Sequence, residues 1–273
     1  MAAPSAAEQA LRDGDPQAAV QLLQNQIRSQ PADAKLRVFL FQLLCVQGDW
    51  KRAMNQLNVA GELDAATLAM VQAYRETIHC ETLREQVFKG QKAPLLFGEP
   101  ETWLALLIEA LLRDGRGEAA DAARLREQAF EQAPATAGSV QRSEGEPQAF
   151  QWIADADMRL GPVLEAVVNG RYYWVPFSRL AAVAIEAPTD LRDRVWMPAH
   201  LTFSNGGEVV AFLPTRYAGT NLADPLLALA RKTEWSEPQP GLFVGSGQRM
   251  LTTDAGDLPL MDLRTITLGE AAT

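Results

Sequence analysis

From Pro16 to Gln132 the apolar positions recur at helical spacing. Val20, Leu23 and Ile27 share one face of a helix that Asp15 can cap, with Pro16 at its first position and Pro31 just beyond its end. The next helix starts near Asp33 and carries Leu36, Phe39, Leu40, Leu43 and Leu44, the stripe of a buried face. Gly48 stops it. Asp49 caps a third helix, in which Ala53 and Leu57 face the previous pair. A longer helix from about Asp64 to Phe88, ended by Gly90, offers Leu68, Val71, Ile78 and Val87 as core positions. After a loop bracketed by Pro94 and Pro100, Trp103, Leu104, Leu107, Ile108 and Leu111 define a helix ending at Asp114-Gly115. Its alanine-rich partner runs from about Glu118 to Gln132.

This helical text repeats. Gly14-Asp15 and Gly48-Asp49 stand 34 residues apart, and Ala19 and Leu23 map onto Ala53 and Leu57 at the same offset. Leu11-Arg12-Asp13-Gly14 returns as Leu112-Arg113-Asp114-Gly115. A period near 34 marks stacked helix-turn-helix units of the tetratricopeptide kind. The pattern predicts three helical hairpins, the middle one degenerate, about the minimum that buries a continuous core. Such arrays use their surfaces for binding.

The period changes after Ala133. Residues 134–148 hold turn formers and charges with little apolar content, and read as a linker. Beyond it the period is two. Leu164–Val168 and Arg171–Val175 flank Asn169-Gly170, the strongest short hairpin signature, because a type I′ turn needs positive φ at both positions. His200–Phe203 and Val209–Leu213 form a second hairpin around Ser204–Gly207, with Pro214 ending the strand. Ala181–Ile185, Arg249–Thr252 and Leu260–Ile266 read as further strands, and Pro225–Lys232 as a short helix. The predicted fold class is α+β in two domains: tetratricopeptide-like helical repeats over 1–133, a linker over 134–148, and a strand-rich α+β domain over 149–273. The last is a mostly antiparallel sheet or small barrel.

Composition narrows the function classes. An apolar fraction of 47% is that of a folded chain, and the formal charge of −9 disfavours phosphate backbones. Without a Lys/Arg run, nucleic acid is not an expected partner. No stretch of about 18 apolar residues occurs, so membrane insertion is not expected either. The opening Met1-Ala-Ala-Pro-Ser lacks a basic segment followed by an apolar one, so no secretory signal is read. Cys45 and Cys80 sit in apolar helical text as reduced core thiols, which points to a cytoplasmic protein.

Catalytic motifs are sparse. There is no P-loop and no Gly-x-Ser-x-Gly elbow, and Gly245-Ser-Gly247 lacks the third glycine of a dinucleotide turn. With only His79 and His200, histidine-rich zinc sites are excluded. His79 reads as an exposed helical residue beside Cys80. Asp155 and Asp157 could bind a divalent cation or share acid–base work, but read better as a solvated turn or as salt-bridge partners of Arg159 and Arg171. The Arg171-Tyr172-Tyr173-Trp174 run is the candidate partner-binding site, since aromatics and arginine dominate interface hot spots. Strand alternation puts Tyr172 and Trp174 on one face and Arg171 and Tyr173 on the other, so one pair is expected in the core. No catalytic residue, cofactor or metal ligand is assigned.

Longer stretches resemble a known family. Ala154–Glu165, Asn169–Phe177, Val209–Pro214, Lys232–Trp235, Gly247–Arg249 and Pro259–Arg264 are similar to the ImpE/TagJ accessory proteins of bacterial type VI secretion. Ala10–Asp15 and Phe39–Gly48 match the family's first half. The resemblance implies a non-catalytic adaptor that binds the N-terminal helix of the small contractile-sheath subunit. It implies work alongside the ATPase that disassembles contracted sheath. A helical array with an acidic surface suits an amphipathic helix with basic residues. Two alternatives remain from the residues. One is a hydrolase-like domain over 149–273 using Asp155, Asp157 and His200, targeted by the repeats. The other is a generic secretion scaffold.

Overall fold

The computed structural model describes residues 5–269. Met1–Pro4, on which the reading of no secretory signal partly rests, and residues 270–273 lie outside them. Helices α1 (Ala6–Arg12) and α2 (Pro16–Ser29) form the first hairpin, and α3 (Ala34–Val46) and α4 (Trp50–Leu63) the second. The two Gly-Asp joints are built alike. Gly14 and Gly48 hold φ of 84° and 70°, the left-handed backbone that glycine adopts without a Cβ penalty. Asp15 N–H then donates to Ala10 O, and Asp49 N–H to Leu44 O, each at 2.9 Å. Each Asp turns its carboxylate forward onto the next helix: Asp15 accepts from Ala18 N at 2.8 Å and Asp49 from Arg52 N at 3.2 Å. The repeated text therefore encodes a repeated C-cap and N-cap joint.

A single helix, α5 (Leu68–Phe88), follows a 3-10 turn at Ala65–Thr67. Val71, Ile78 and Val87 are buried as expected, but Leu68, the first residue of α5, is 54% exposed. After the short strand β1 (Leu95–Leu96), α6 (Thr102–Gly115) and α7 (Ala119–Gln132) close the third hairpin. Its left-handed residue is Gly117 (φ 79°), two positions after the glycine of the sequence echo. Gly115 serves a different need, because a Cβ there would sit 2.4 Å from Lys89 O and 2.7 Å from Gly90 Cα. The close crossing of α6 over the end of α5 requires it.

The second half begins earlier than its text suggests. Strand β2 (Gly138–Arg142) lies inside the stretch read as a linker, and β3 (Gln148–Phe150) starts on its last residue. Gly138 marks close packing there: a Cβ would lie 2.1 Å from Thr267 O. The turn formers at 143–147 make the β2–β3 turn, so low apolar content reflects a short edge hairpin and not a connector. The remaining strands are β4 (Ile153–Asp155), β5 (Val163–Val168), β6 (Arg171–Pro176), β7 (Leu180–Ile185), β8 (Trp196–Phe203) and β9 (Glu208–Pro214). The short helix α8 (Pro225–Ala228) precedes β10 (Thr233–Gln239), β11 (Leu242–Gly247), β12 (Met250–Thr253), β13 (Gly256–Pro259) and β14 (Leu263–Leu268). Nine strands form an open sheet in the order β1-β6-β5-β9-β8-β7-β14-β2-β3, antiparallel except at β1–β6. The barrel alternative is thereby set aside. A three-stranded sheet β13-β12-β4 and the β10–β11 hairpin complete the half.

The Asn169-Gly170 turn has φ of 48° and 69°, as a type I′ turn requires. Gly170→Val should destabilise the protein by more than about 1 kcal/mol, since a β-branched residue resists positive φ. A Cβ there would also meet the Glu76 side chain at 2.3 Å. An unchanged urea-unfolding midpoint would contradict this.

One core lies within the strand half, under Leu164, Ala166, Val183, Leu201 and Ile266. Two others join the halves. Leu40, Leu43, Leu44 and Tyr74 pack with Val195, Trp196 and Leu229. Val87, Trp103, Leu107 and Leu111 pack with Val163, Val167, Tyr172 and Trp174. Trp196 stacks 5.6 Å from Trp50 and 5.9 Å from Tyr74, and Arg192 lies 4.8 Å over the Tyr74 ring. The segment Leu191–Trp196 therefore covers a face of α3, α4 and α5.

Candidate binding cleft at the helix–sheet junction

Directly paired residues of β5 and β6 share a face, so Glu165 and Trp174 point the same way as Val167 and Tyr172. That face meets α5. Along α5 the buried positions Thr77, Cys80, Arg84 and Val87 follow helical spacing, and Arg84 occupies one of them. The result is a buried chain of polar contacts. Trp174 Nε1 donates to Tyr172 Oη at 2.8 Å, and the Tyr172 hydroxyl donates to Glu165. Arg84 grips the same carboxylate with Nε at 2.7 Å and Nη2 at 3.1 Å, and Nη2 also reaches Arg216 O at 2.7 Å. Arg249, fully buried between β11 and β12, touches Glu165 with Nη2 and lies 3.3 Å from Asp155. These are ion pairs without aligned hydrogen bonds, and Arg249 Nη1 has no hydrogen-bond partner among the described residues.

Around this chain stand further paired charges. Asp157 accepts Arg159 side-on at 2.9 and 2.6 Å and takes Gly245 N–H at 3.0 Å, tying the 155–161 loop to β11. Glu81 accepts Trp196 Nε1 at 2.7 Å. Arg216 donates from Nη1 to Val46 O at 2.6 Å and Ala228 O at 2.7 Å, and from Nη2 to Cys45 O at 3.2 Å. It thus places a cation on the carbonyl ends of α3 and α8, where the helix dipole is negative. Above this floor opens a cavity of about 430 Å³, lined among others by Trp50, Glu81, Arg84, Phe88, Arg159 and Arg216. Leu222 closes one side against Gly48, where a Cβ would approach it to 2.5 Å.

Burial raises Asp155 to about 7, against the pull of Arg249. Burial also lowers Arg249 and Arg216 to about 10 and raises the Tyr172 hydroxyl. An unfolded Asp titrates near about 3.9, so from there to about 7 the folded state holds a proton that the unfolded state has released. The stability from this group is fully present below about pH 4 and is lost as pH rises through about 7. Asp155→Asn should therefore show a smaller fall in stability between about pH 5 and 8 than the parent chain. Urea titrations across that range check it, and equal slopes would count against the burial-raised carboxyl.

Several residues stand elsewhere than the sequence implies. Asp155 and Asp157 are buried, not in a solvated turn; Asp157 makes the expected bridge to Arg159, but Asp155 pairs with Arg249, and Arg171 is exposed without joining either. Tyr172 and Trp174 are fully buried, which removes them from any contact surface. Arg171 is exposed, and Tyr173 is half-buried against Phe97 at 4.3 Å. The three residues of the hydrolase alternative do not converge. His200 is exposed on β8 with Glu186 at 3.8 Å, while both aspartates are enclosed by arginines. Gly245 lies in β11 and makes room for the Tyr217 ring, not for a dinucleotide. His79 is exposed on α5, and Cys80 Sγ bonds Gly170 O at 3.3 Å. Among the described residues, no group of three or more His, Cys, Asp or Glu could hold a metal ion.

Sequence reasoning missed Arg84, Arg216 and Arg249. Arg84 had a signal: a charge inside the apolar stripe of α5. Arg249 sits in the Gly247–Arg249 run that carried the family resemblance, and Arg216 had none.

A family model described as ImpE protein matches residues 147–267, and a tetratricopeptide repeat model matches 10–75. The type VI secretion system accessory component TagJ of Pseudomonas aeruginosa is 53% identical over 261 residues, spanning 95% of this chain and 90% of that protein. The chain belongs to the ImpE/TagJ family of type VI secretion accessory proteins. The X-ray crystal structure of protein VPA1032 from Vibrio parahaemolyticus is similar with a TM-score of 0.86 and 25% identity, covering 97% of this chain and 98% of that one. The ImpE match spans most of the sheet and includes Asp155, Glu165, Arg216 and Arg249. The repeat match ends within α5, before Arg84. The cleft thus lies where the ImpE region meets the repeat half. Among the described residues, no ImpE/TagJ helix here is long and apolar enough to cross a membrane.

Proposed function

We propose that this protein is a cytoplasmic, non-catalytic adaptor of a type VI secretion system that binds the N-terminal helix of the small contractile-sheath subunit. Through that subunit it acts alongside the sheath-disassembling ATPase. The observation that carries the reading is the 53% identity, across 95% of the chain, to an accessory component of such a system. The helical hairpins and the net charge of −9 support a surface for a helix with basic residues. Of the β6 run, exposed Arg171 stays in the proposal as a contact residue, while Tyr172 and Trp174 leave it. The face of α3–α5 covered by Leu191–Trp196 is closed to a partner, so the sheath helix needs another surface. Titrating a labelled peptide of that N-terminal helix should give a Kd near about 1 μM, or about −8 kcal/mol, by fluorescence anisotropy. Folded protein that leaves the anisotropy flat at high concentration would rule out the sheath-helix reading.

A further inference from the structure

Arg216 is 6% exposed, and its guanidinium is only partly used. Of its five N–H donors, the two on Nη1 reach Val46 O and Ala228 O, and one on Nη2 reaches Cys45 O. Nε makes no hydrogen bond among the described residues, and Nη2 makes one, the 3.2 Å bond to Cys45 O. Together they form the side edge of the planar fork. Arg84, in the same site, uses this edge to hold both oxygens of Glu165. Arg216 lines the 430 Å³ cavity, within the size range of small-ligand pockets. Glu81 lines it too but is taken by Trp196 Nε1 at 2.7 Å and Arg84 Nη1 at 3.4 Å.

We propose that this cavity binds a carboxylate on a flat apolar body, the free edge of Arg216 taking the two oxygens and Trp50 and Phe88 taking the body. Three observations support the pairing. The guanidinium fork matches carboxylate geometry, and the other two of its edges already hold carbonyls. Of the lining cations, Arg84, Lys89 and Arg159 each hold a carboxylate, that of Glu165, Glu85 and Asp157, while Arg216 has no carboxylate at ion-pair distance among the described residues. Burial pushes Arg216 down to about 10, so it remains cationic at neutral pH in a place where an incoming anion offsets its lost hydration. The carboxylate has two possible sources: a free small acid, or a glutamate side chain beside an aromatic residue in a peptide.

The test follows the Arg216 Nε–H resonance in proton–nitrogen NMR spectra of the full chain. Benzoate represents the free acid, the peptide acetyl-Phe-Glu-amide the side chain, and benzamide the uncharged isostere. Saturable shifts at about 1 mM benzoate or peptide, and none with benzamide, are the expected result. A response to one probe alone assigns the source. Lys89→Glu changes an exposed residue at the cavity and should weaken the response roughly threefold to tenfold without moving the melting temperature. An Nε–H that ignores both acids up to about 50 mM, or that answers benzamide equally, overturns the proposal.

Discussion

Glu165→Gln should lower the stability of the whole protein by about 3–5 kcal/mol, because it leaves two buried guanidinium groups facing one neutral amide. Glu165 is fully buried, accepts both fork nitrogens of Arg84, touches Arg249, and takes the hydroxyl of Tyr172. Glutamine keeps the shape and one acceptor oxygen but turns an NH₂ group toward the arginines. The loss is expected in urea unfolding monitored by tryptophan fluorescence, since Trp174 and Trp196 both lie within this contact chain. A second variant separates charge from packing. Adding Arg249→Met to Glu165→Gln removes one of the stranded cations and should recover part of the loss, giving a coupling of about 1–3 kcal/mol in a double-mutant cycle. Strict additivity would mean that the two groups do not share one electrostatic site.

Arg216→Met should cost about 3–4 kcal/mol, for a different reason. The side chain satisfies carbonyls at the end of α3 and at the end of α8, and its own carbonyl receives Arg84. Methionine fills similar volume but leaves Val46 O and Ala228 O without their donor, while Cys45 O keeps the Gly48 N–H at 3.1 Å. The C-terminal turn of α3 also loses its cation. Hydrogen exchange should accelerate at Leu43–Asp49 before it does in β5 and β6. Arg216→Lys should recover little, because a single ammonium cannot reach Val46, Cys45 and Ala228 together. Full recovery with lysine would show that charge alone, without the planar fork, joins the halves.

Much of the local structure was legible because its causes are local. Gly14-Asp15 and Gly48-Asp49 each require a left-handed residue followed by a cap, and both needs are written within six residues. Asn169-Gly170 is the same kind of signal for a hairpin. Strand parity also placed Tyr172 with Trp174 and Arg171 with Tyr173. Parity could not tell which pair faces the core. Tyr172 and Trp174 are buried because α5 and α6 lie on their side of the sheet, a fact set by elements in the other half of the chain. The stretch at 134–148 was misread for a related reason. Strand β2 is polar and glycine-bearing, and it gains its structure from pairing with β14 at the far end of the chain.

The cleft was least visible. The charges in its wall and in the buried chain beneath it come from positions 84, 155, 165, 216 and 249, which no spacing rule connects. Taken singly, each resembles an ordinary surface charge, as Asp155 did.

By itself, then, the amino-acid sequence determined the helices and their joints, the main hairpins, the acidic balance and the family. Those follow from backbone preferences and periodicity, which act over a few residues. Only the tertiary structure decided that the halves share two cores, that five arginines and acids meet inside, and that Arg216, pinned to the ends of α3 and α8, also lines a cavity. Such burial depends on which faces meet, and the free energy of a charge is set by what surrounds it in space.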